Sequence, residues 1–472
     1  MIKLRTIATL IVAVTISGCS THKYFSRDLL KAMKDENVAE VQKLVENAIK
    51  KHSDDRDSLL YYLEGGAAYR YLDDFDKSNE LLELAERRYE DVMKKAKISL
   101  SDEAAAALSN QNVLPYKGYG YDYVMMNVYK TLNYLAKNDN EGARVELRRV
   151  LEKQREILEL NAKRVEKAQK KNEKYDLEKA QKDKKYKESY DCAYQSDAKF
   201  KAYAPYVNPF AVLIDALFYR YAAANANDWE HSLKSFQRLM GLAPASRKWI
   251  KKDLDALDAL LNGKGDKSEP ATYLLFETGL APSRTAIRLH VPVFLPKTVD
   301  YAPMELPKLT LTNDYLDHVS VSTAKENCSA TTLCDMDVVI KTEFFNLLPS
   351  VIGRTMINVG IKMAASYAVN KAADAATKKK SAKTRFGIRL FTALSTIGYQ
   401  ELTAQADLRC WRTLPKKFMY ARVATPDDGI VTITTANGSE QIKVKPKSVN
   451  VIYVRTLSSN SKVKITTFKI KK

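Results

Sequence analysis

The chain has 472 residues, and its 76 Lys and Arg against 57 Asp and Glu give a formal net charge of +19 at pH 7. This length allows two or three domains that each bury a core. The charge alone would suit a nucleic-acid-binding protein, but much of it is spread through Lys-rich helical segments rather than gathered in one motif.

The N-terminus has the features of a bacterial lipoprotein signal. Lys3 and Arg5 form a basic region, residues 7–16 form a short apolar core, and residues 16–19 read Ile-Ser-Gly-Cys, which matches a lipobox. Residues 1–18 are therefore predicted to be a signal peptide. Cys19 would be lipidated through its thiolate, and the acyl chains would hold the mature protein at a membrane. An ordinary cleaved signal is the alternative, and no later segment is apolar for long enough to cross a bilayer.

The residue after the lipidated cysteine predicts the destination. Asp in this place is the known signal for retention in the inner membrane of many Gram-negative bacteria, and this chain has Ser20. We therefore expect residence in the outer membrane, facing the periplasm. An exported cationic protein meets lipid headgroups, anionic glycans, peptidoglycan or acidic proteins, and this excludes nucleic acid as a partner.

Four cysteines follow Cys19, and an oxidising periplasm could pair them in three ways. Cys328 and Cys334 have five residues between them in a short loop and form the predicted disulfide; the pairing of Cys192 and Cys410 is left open. The five histidines are scattered and have no metal-ligand spacing with the cysteines. No metal site and no cofactor is predicted.

A repeated pattern of small and aromatic residues predicts helical hairpins of the tetratricopeptide type. The pattern recurs in three frames, which begin near Tyr62, Thr131 and Asp228. In each frame small residues, such as Gly66 and Ala143, would let the two helices of a hairpin approach closely. A solenoid of this kind offers a concave face to a peptide or protein segment; the alternative is that the helices support the rest of the chain.

Two insertions interrupt the repeats. Residues 114–122 read Leu-Pro-Tyr-Lys-Gly-Tyr-Gly-Tyr-Asp, and Tyr116, Tyr119 and Tyr121 are a candidate binding loop for a sugar or a peptide. Packing of the tyrosines over neighbouring helix ends is the other interpretation, and it is favoured because tyrosines in such loops more often pack there. Residues 151–201 alternate Lys and Glu at helical spacing and predict one long solvated helix.

Past residue 264 the hydrophobic period changes from 3.6 to 2, which predicts a linker near Gly263–Asp266. The chain would then have a helical repeat domain, residues 19–264, that can be separated from an α+β domain, residues 265–472. The second domain would contain an antiparallel sheet. The predicted strands cover residues 273–276, 286–290, 318–322, 418–423, 430–434, 441–444, 449–455 and 463–468.

A helical hairpin, about residues 343–405, is predicted between these strands. Small residues recur every four positions in its first helix, which lets the second helix, Gly387–Gln405, approach closely; they are Gly360, Ala364, Ala368, Ala372 and Ala376. Membrane insertion of the hairpin is the alternative, and Arg354, Lys362 and Lys371 disfavour it because charges at bilayer depth are costly. The predicted fold class is α+β.

Three motifs carry a resemblance to known proteins. They are residues 114–122 with the helix Asn-Glu-Gly-Ala-Arg-Val-Glu-Leu-Arg-Arg-Val at 140–150, Phe-Glu-Thr-Gly-Leu-Ala-Pro-Ser-Arg at 276–284, and Ala-Asp-Leu-Arg-Cys-Trp-Arg-Thr-Leu-Pro at 406–415. The set resembles a family of uncharacterised tetratricopeptide-containing outer-membrane lipoproteins of Gram-negative bacteria. The resemblance covers most of the mature chain. It implies an architecture and an envelope location, and it carries over no catalytic residues.

The last of these motifs also has a physical interpretation. Asp407 and Arg409 would fix a strand–helix junction through charge-assisted hydrogen bonds, and Trp411 would add a large apolar anchor. A ligand site at the lip of the sheet is the alternative.

The sequence contains no nucleophile elbow, no phosphate-binding glycine loop and no zinc-protease motif, so neither an enzyme nor a catalytic residue is predicted. The expected function is a lipid-anchored periplasmic scaffold or regulator of an envelope machine, such as peptidoglycan synthesis, outer-membrane assembly or secretion. Its partners would be the membrane, an envelope protein and an anionic glycan such as peptidoglycan. The alternative is a lipid- or glycan-binding protein that uses the C-terminal sheet domain.

Overall fold

The computed structural model describes residues 21–98, 114–174, 177–195, 197, 200, 207–265, 269–294, 299–377 and 405–470. Helices fill the first half of these residues, and strands follow with one long helix among them. The predicted α+β class is confirmed.

Helices make up the described chain before the first strand. They are α1 (residues 21–34), α2 (Val38–His52), α3 (Ser58–Tyr71), α4 (Phe75–Ile98), α5 (Gly120–Ala136), α6 (Asn140–Lys174), α7 (Leu177–Gln181), α8 (Lys184–Tyr194), α9 (Pro209–Tyr221), α10 (Ala226–Leu242) and α11 (Arg247–Leu261). The hairpins α3–α4, α5–α6 and α9–α10 fall on the three predicted frames.

The turns of the first two hairpins have the same construction. Asp73 and Asn138 have positive φ angles of 62° and 58°, which short polar side chains tolerate better than most others. The next residue then starts the second helix: Asp74 accepts a hydrogen bond from the Lys77 amide at 3.0 Å, and Asp139 accepts one from the Gly142 amide at 2.8 Å. Each carboxylate thus caps a helix N-terminus.

Close approach of the paired helices depends on small residues. Ser78 donates to the Gly66 carbonyl at 2.7 Å, and in the third hairpin Ser232 donates to the Ala216 carbonyl at the same distance. A Cβ atom built on Gly66 would lie only 2.5 Å from Leu82 Cδ2. The predicted close packing of the hairpins is therefore present.

We expect Gly66→Ala to lower the free energy of unfolding by about 1–3 kcal/mol, because the added methyl group overpacks against Leu82. Gly241 in α10 is a matched control: it is exposed, and an added Cβ would meet nothing within 4 Å. Gly241→Ala should instead raise stability by up to about 1 kcal/mol through helix propensity. Urea unfolding followed by far-UV circular dichroism compares the two. Equal stabilisation by both would contradict the close packing.

The prediction of one long solvated helix over residues 151–201 is wrong. α6 is the second helix of its hairpin and ends at Lys174, and α7 and α8 follow as separate helices. α8 is packed rather than solvated, because Tyr186, Tyr190 and Tyr194 recur at helical spacing and form an apolar stripe. Tyr186 and Tyr194 are buried, and Tyr194 donates to the Pro307 carbonyl at 2.8 Å.

The strands form three sheets. They are β1 (Ala271–Thr278), β2 (Ser283–Phe294), β3 (Val299–Thr310), β4 (Val319–Ser322), β5 (Asn327–Ser329), β6 (Thr331–Asp335), β7 (Lys417–Ala424), β8 (Ile430–Thr435), β9 (Gly438–Lys443), β10 (Asn450–Thr456) and β11 (Lys464–Lys469). A five-stranded sheet has the order β11-β10-β1-β7-β6, a four-stranded sheet has the order β5-β4-β8-β9, and β2 pairs with β3 alone.

Two features of these sheets differ from the prediction. β1 and β10 pair in parallel, so the five-stranded sheet is not purely antiparallel. After β7 the chain leaves this sheet to form β8 and β9 of the four-stranded sheet, and it then returns as β10 on the side of β1 opposite β7. β3 is absent from the predicted strands, yet it pairs with β2 over twelve residues. Pro303 and Pro307 are tolerated because each strand of a two-stranded ribbon has one free edge, where no amide donor is needed.

One long helix, α12 (Met336–Thr377), interrupts the strands. It is the first helix of the predicted hairpin, and it begins seven residues earlier than expected and continues through Pro349. The predicted second helix, residues 387–405, lies outside the described residues except at Gln405. Among the helices that the structure describes, none combines the length and the apolar character that a membrane span needs.

The two halves of the chain share one hydrophobic core. A continuous cluster of buried side chains extends from Leu29 in α1 to Ile470 after β11. Phe210 of α9 stacks on Phe418 of β7 with ring centroids 3.8 Å apart. The change near residue 265 is thus a change of secondary structure, and the shared core argues against a separable repeat domain.

Candidate functional site

The three motifs are far apart in the chain but lie together in the fold. The guanidinium of Arg284 lies over the ring of Tyr119, 3.9 Å from its centroid. Arg409 donates to the Leu114 carbonyl at 2.8 Å. We call this region the motif cluster, and it consists of residues 114–122, 276–284 and 406–415.

The predicted binding loop is mostly packed inside this cluster. Tyr116 and Tyr121 are buried, and Tyr119 is half-buried beneath Arg284. The reason is the start of α5: the Tyr116 hydroxyl and the Tyr119 amide both donate to Asp122, at 2.6 and 2.8 Å, and this draws the loop inward. The tyrosines thus pack over helix ends, as the favoured interpretation of the sequence predicts, and Tyr116 and Tyr121 are not exposed to a ligand.

A second carboxylate holds the same helix end. Glu343 of α12 accepts hydrogen bonds from the amides of Gly120 and Tyr121, at 2.8 and 3.2 Å. A carboxylate in this place satisfies free amides and complements the positive end of the helix dipole. α5 and α12 are thereby locked together at the motif cluster.

Asp122 itself is fully buried, and its Oδ1 has no hydrogen-bond partner. The pKa of Asp122 is raised to about 7, mainly because the group is buried and also because Glu343 lies nearby; the bonds from Tyr116 and Tyr119 and the charge of Arg284 act in the opposite direction. This carboxyl group can therefore hold or release a proton near neutral pH.

The pKa of Asp122 is higher in the folded chain than in the unfolded chain. Between about pH 4 and pH 7 the folded state therefore keeps a proton on Asp122 that the unfolded state has already released. The Asp122 contribution to stability is present below pH 4 and is lost as pH rises to 7. Asp122→Asn removes this titration, so we expect the stability of the variant relative to wild type to increase over that pH range. Urea midpoints of the two proteins across pH measure it. A constant difference would contradict the assignment.

The predicted junction residues form a buried charge cluster. Arg409 donates to both oxygens of Asp407, at 2.8 and 2.7 Å, and to Asp57 at 2.6 Å. Trp411 is 1% exposed, and its indole donates to Thr413 at 2.8 Å. The expected bonds are present, but the junction joins the segment before β7 to the residue before α3 rather than a strand to a helix.

Beside it lies a buried carboxylate that the sequence analysis missed. Glu64 of α3 is 0% exposed and accepts hydrogen bonds from the amides of Arg412 and Thr413, at 2.8 and 3.1 Å. His22 Nε2 lies 3.4 Å from the same carboxylate. The signal available in the sequence was a lone Glu within the otherwise uncharged run from Ser58 to Tyr69.

A larger buried network was also missed. Asp253 of α11 is 0% exposed, and it accepts from the side chains of Arg220, Arg422, Tyr273 and Tyr420. Glu269 bridges the two arginines, at 3.0 and 2.9 Å. Burial raises the pKa of both tyrosines above the ordinary value, so they stay protonated donors. The network ties α9 and α11 to β1 and β7.

The predicted disulfide between Cys328 and Cys334 is wrong: both are free thiols in the structure. Cys328 lies opposite Val321 in the four-stranded sheet, whereas Cys334 lies opposite Phe418 in the five-stranded sheet. Cys334 is buried, and its thiol donates to Asn208 at 3.4 Å. Burial raises the pKa of the Cys334 thiol, which makes it a poor nucleophile.

Arg284 differs from Arg409, the buried arginine of the motif cluster. Its side chain is half-buried, its Nε has no hydrogen-bond partner, and within the described part of the chain its guanidinium forms no ion pair. Its contacts are instead aromatic, with Tyr119 and with Phe344, whose ring centroid is 5.4 Å away. Such a guanidinium is able to bind an anionic group from outside the chain.

The remaining predictions concern the lipidated cysteine and metal ligands. Cys19 lies outside the described residues, so its lipidation stays a prediction. Among the side chains that the structure does describe, no group of three or more His, Cys, Asp or Glu is arranged to hold a metal ion. No protein-family model, no curated protein and no solved structure matches the chain.

Proposed function

We propose that the protein is a lipid-anchored scaffold of the cell envelope that binds a protein partner at the motif cluster. The observation that carries the proposal is the guanidinium of Arg284, which lies over the Tyr119 ring, has no hydrogen-bond partner at Nε and forms no ion pair with any residue that the structure describes. Partial burial of a charge is costly unless a partner of opposite charge is supplied. A carboxylate of the bound protein would supply it through two parallel hydrogen bonds, and the tyrosine ring would hold the guanidinium plane in place.

The test is cross-linking in cells with a photoreactive amino acid at Thr285, which is exposed and adjacent to Arg284. We expect Arg284→Ala to abolish the cross-linked partner band, and Arg284→Lys to weaken it because Lys lacks the planar fork. Arg288→Ala is the matched control on the same strand, since Arg288 is exposed and pairs with Glu305. Partner bands that survive Arg284→Ala, in a variant that melts like wild type, would refute the assignment of the site.

Lipidation at Cys19 and sorting to the outer membrane are tested separately. Cys19→Ala should abolish both acyl labelling and membrane association, and Ser20→Asp should shift the mature protein from outer-membrane to inner-membrane fractions. Radiolabelled palmitate that still enters Cys19→Ala would refute lipidation at this residue.

A second candidate function is binding of an anionic lipid or glycan by the C-terminal sheets. It is favoured by Lys443, Lys445 and Lys447, which are all exposed on edge strand β9 and the turn after it. None of the three forms an ion pair in the described structure. Lysines on an edge strand also prevent strand pairing between molecules, so their presence alone does not require a ligand. Pull-down of the protein by an anionic glycan, lost when the three are changed to Glu, would favour this function over the scaffold.

A further inference from the structure

The folded body begins almost directly after the predicted lipid anchor. Only Ser20 separates Cys19 from Thr21, which already belongs to α1. An extended chain spans at most about 3.6 Å per residue, so Thr21 lies within about 7 Å of the lipidated cysteine backbone. The anchor therefore has almost no tether.

The first turn of α1 is fixed to the body. His22 is 3% exposed, lies 3.4 Å from the buried Glu64, and meets the ring of Tyr61 edge-on at 5.7 Å between centroids. Phe25 packs on the same tyrosine at 5.2 Å. Peeling α1 away to lengthen the tether would expose these groups to water.

The surface around this first turn is cationic. The end of α2 lies beside it, because His52 stacks on Tyr61 at 4.5 Å. We call residues 21–28, residues 50–56 and Arg412 the anchor face. Its cations outnumber its acids by six to three; the cations are Lys23, Arg27, Lys50, Lys51, Arg56 and Arg412, and the acids are Asp28, Asp54 and Asp55.

The acids only partly offset this charge. Asp28 pairs with Arg27 at 2.9 Å, and Asp55 pairs with His52. Lys23, Lys50 and Lys51 are exposed and form no ion pair in the described structure. Tyr24 is 55% exposed, with the Arg27 guanidinium 5.1 Å from its ring centroid, and such an aromatic side chain suits the headgroup level of a bilayer.

We infer that the anchor face rests on the anionic headgroups of the membrane that holds the lipid anchor, which fixes the orientation of the whole molecule. This inference rests on the proposed function, because it requires lipidation at Cys19. The short tether keeps the first turn of α1 within about one Debye length, 8 Å at physiological salt, of the headgroups, and the end of α2 lies beside that turn. Anionic lipid attracts Lys and Arg held that close to its surface.

The fixed orientation bears on the proposed partner site. Arg412 belongs both to the anchor face and to the motif cluster, and its backbone amide is held by Glu64. The motif cluster is thereby held next to the membrane. The partner would meet the protein there rather than deep in the periplasm.

The test uses full-length lipidated protein in vesicles of phosphatidylcholine with or without phosphatidylglycerol. A fluorophore at position 24, attached to Tyr24→Cys in a Cys192→Ser background, reports contact with nitroxide-headgroup lipid. A second label, at Lys462→Cys, is the distal control, because Lys462 pairs with Glu36 at the opposite end of α1. We expect quenching at position 24 that depends on phosphatidylglycerol and is lost at high salt, and none at position 462.

Charge reversal tests whether the lysines of the anchor face cause the quenching at position 24. Lys23→Glu, Lys50→Glu and Lys51→Glu together should abolish the quenching at position 24 while acylation and vesicle recovery stay unchanged. The matched control reverses Lys443, Lys445 and Lys447, and it should leave the quenching intact. Quenching that is independent of phosphatidylglycerol, or that follows the control set, overturns the inference. Failure of the unmodified protein to be acylated would instead refute the proposed anchor.

Discussion

Replacing Asp253 by Ala should lower the free energy of unfolding by about 3–5 kcal/mol, the usual cost of removing one partner from a buried ion pair. The change leaves Arg220 and Arg422, with side chains 3% and 7% exposed, without the buried one of the two carboxylates that they share; the other, Glu269, has a side chain that is 40% exposed. It also removes the carboxylate that accepts from the hydroxyls of Tyr273 and Tyr420. Urea unfolding followed by circular dichroism measures the loss.

Asp255 offers a matched control two residues along α11. Its side chain is 59% exposed and pairs only with Lys251 on the surface. Asp255→Ala should change stability by less than about 0.5 kcal/mol, because exposed pairs contribute little. Similar effects of the two substitutions would mean that Asp253 is not the buried centre of the contact between helices and sheet.

The second large effect is expected for Arg409→Met, which keeps much of the side-chain length and removes the charge. Asp57, 4% exposed, would lose the Arg409 bond of 2.6 Å, and the Leu114 carbonyl would lose its donor. We expect a loss of about 3–5 kcal/mol in the free energy of unfolding, measured in the same urea experiment.

Arg412→Ala is the control for Arg409→Met. Arg412 is half-buried, and its guanidinium makes one long contact with Ser26, at 3.4 Å. Its backbone amide donates to Glu64 at 2.8 Å, and alanine retains this hydrogen bond. The control should cost no more than about 1 kcal/mol. A loss as large as that of Arg409→Met would show that the motif depends on charge in general rather than on the Arg409 cluster.

The helix contacts within hairpins and the helix caps were predictable from local sequence patterns. Gly66, Ala143 and Ser232 mark the close contacts of three hairpins, and Asp74 and Asp139 cap helices within three residues of their own position. Both kinds of interaction span only neighbouring helices or turns. They were therefore visible as fixed spacings.

Pairings across long stretches of chain were not predictable in the same way. Nothing near β1 indicates that β10 runs parallel beside it, and nothing near Cys334 indicates that it enters a different sheet from Cys328. The apolar run of β1 is consistent with burial between two neighbours but does not name them.

The candidate site was predictable in part. The motifs marked Asp407, Arg409 and the tyrosines of residues 114–122, but their convergence with Arg284 depends on the tertiary fold. Asp253 has the spacing of an ordinary polar residue on an amphipathic helix. Its burial becomes evident only in the folded structure, where Arg220 of α9 and Arg422 of β7 both pair with it.

The strand order of the five-stranded sheet has a consequence for biosynthesis. β1 is the middle strand, and its partner β10 is made much later: Tyr453 bonds to Glu277, 176 residues earlier in the chain. At about 5–20 residues per second, a ribosome needs roughly 10–35 s to cover that interval. The centre of the sheet cannot close before then. For a chain with the predicted export signal this delay is an advantage, because a secretory channel accepts an unfolded polypeptide, and the chain has no completed sheet to unfold before it is delivered.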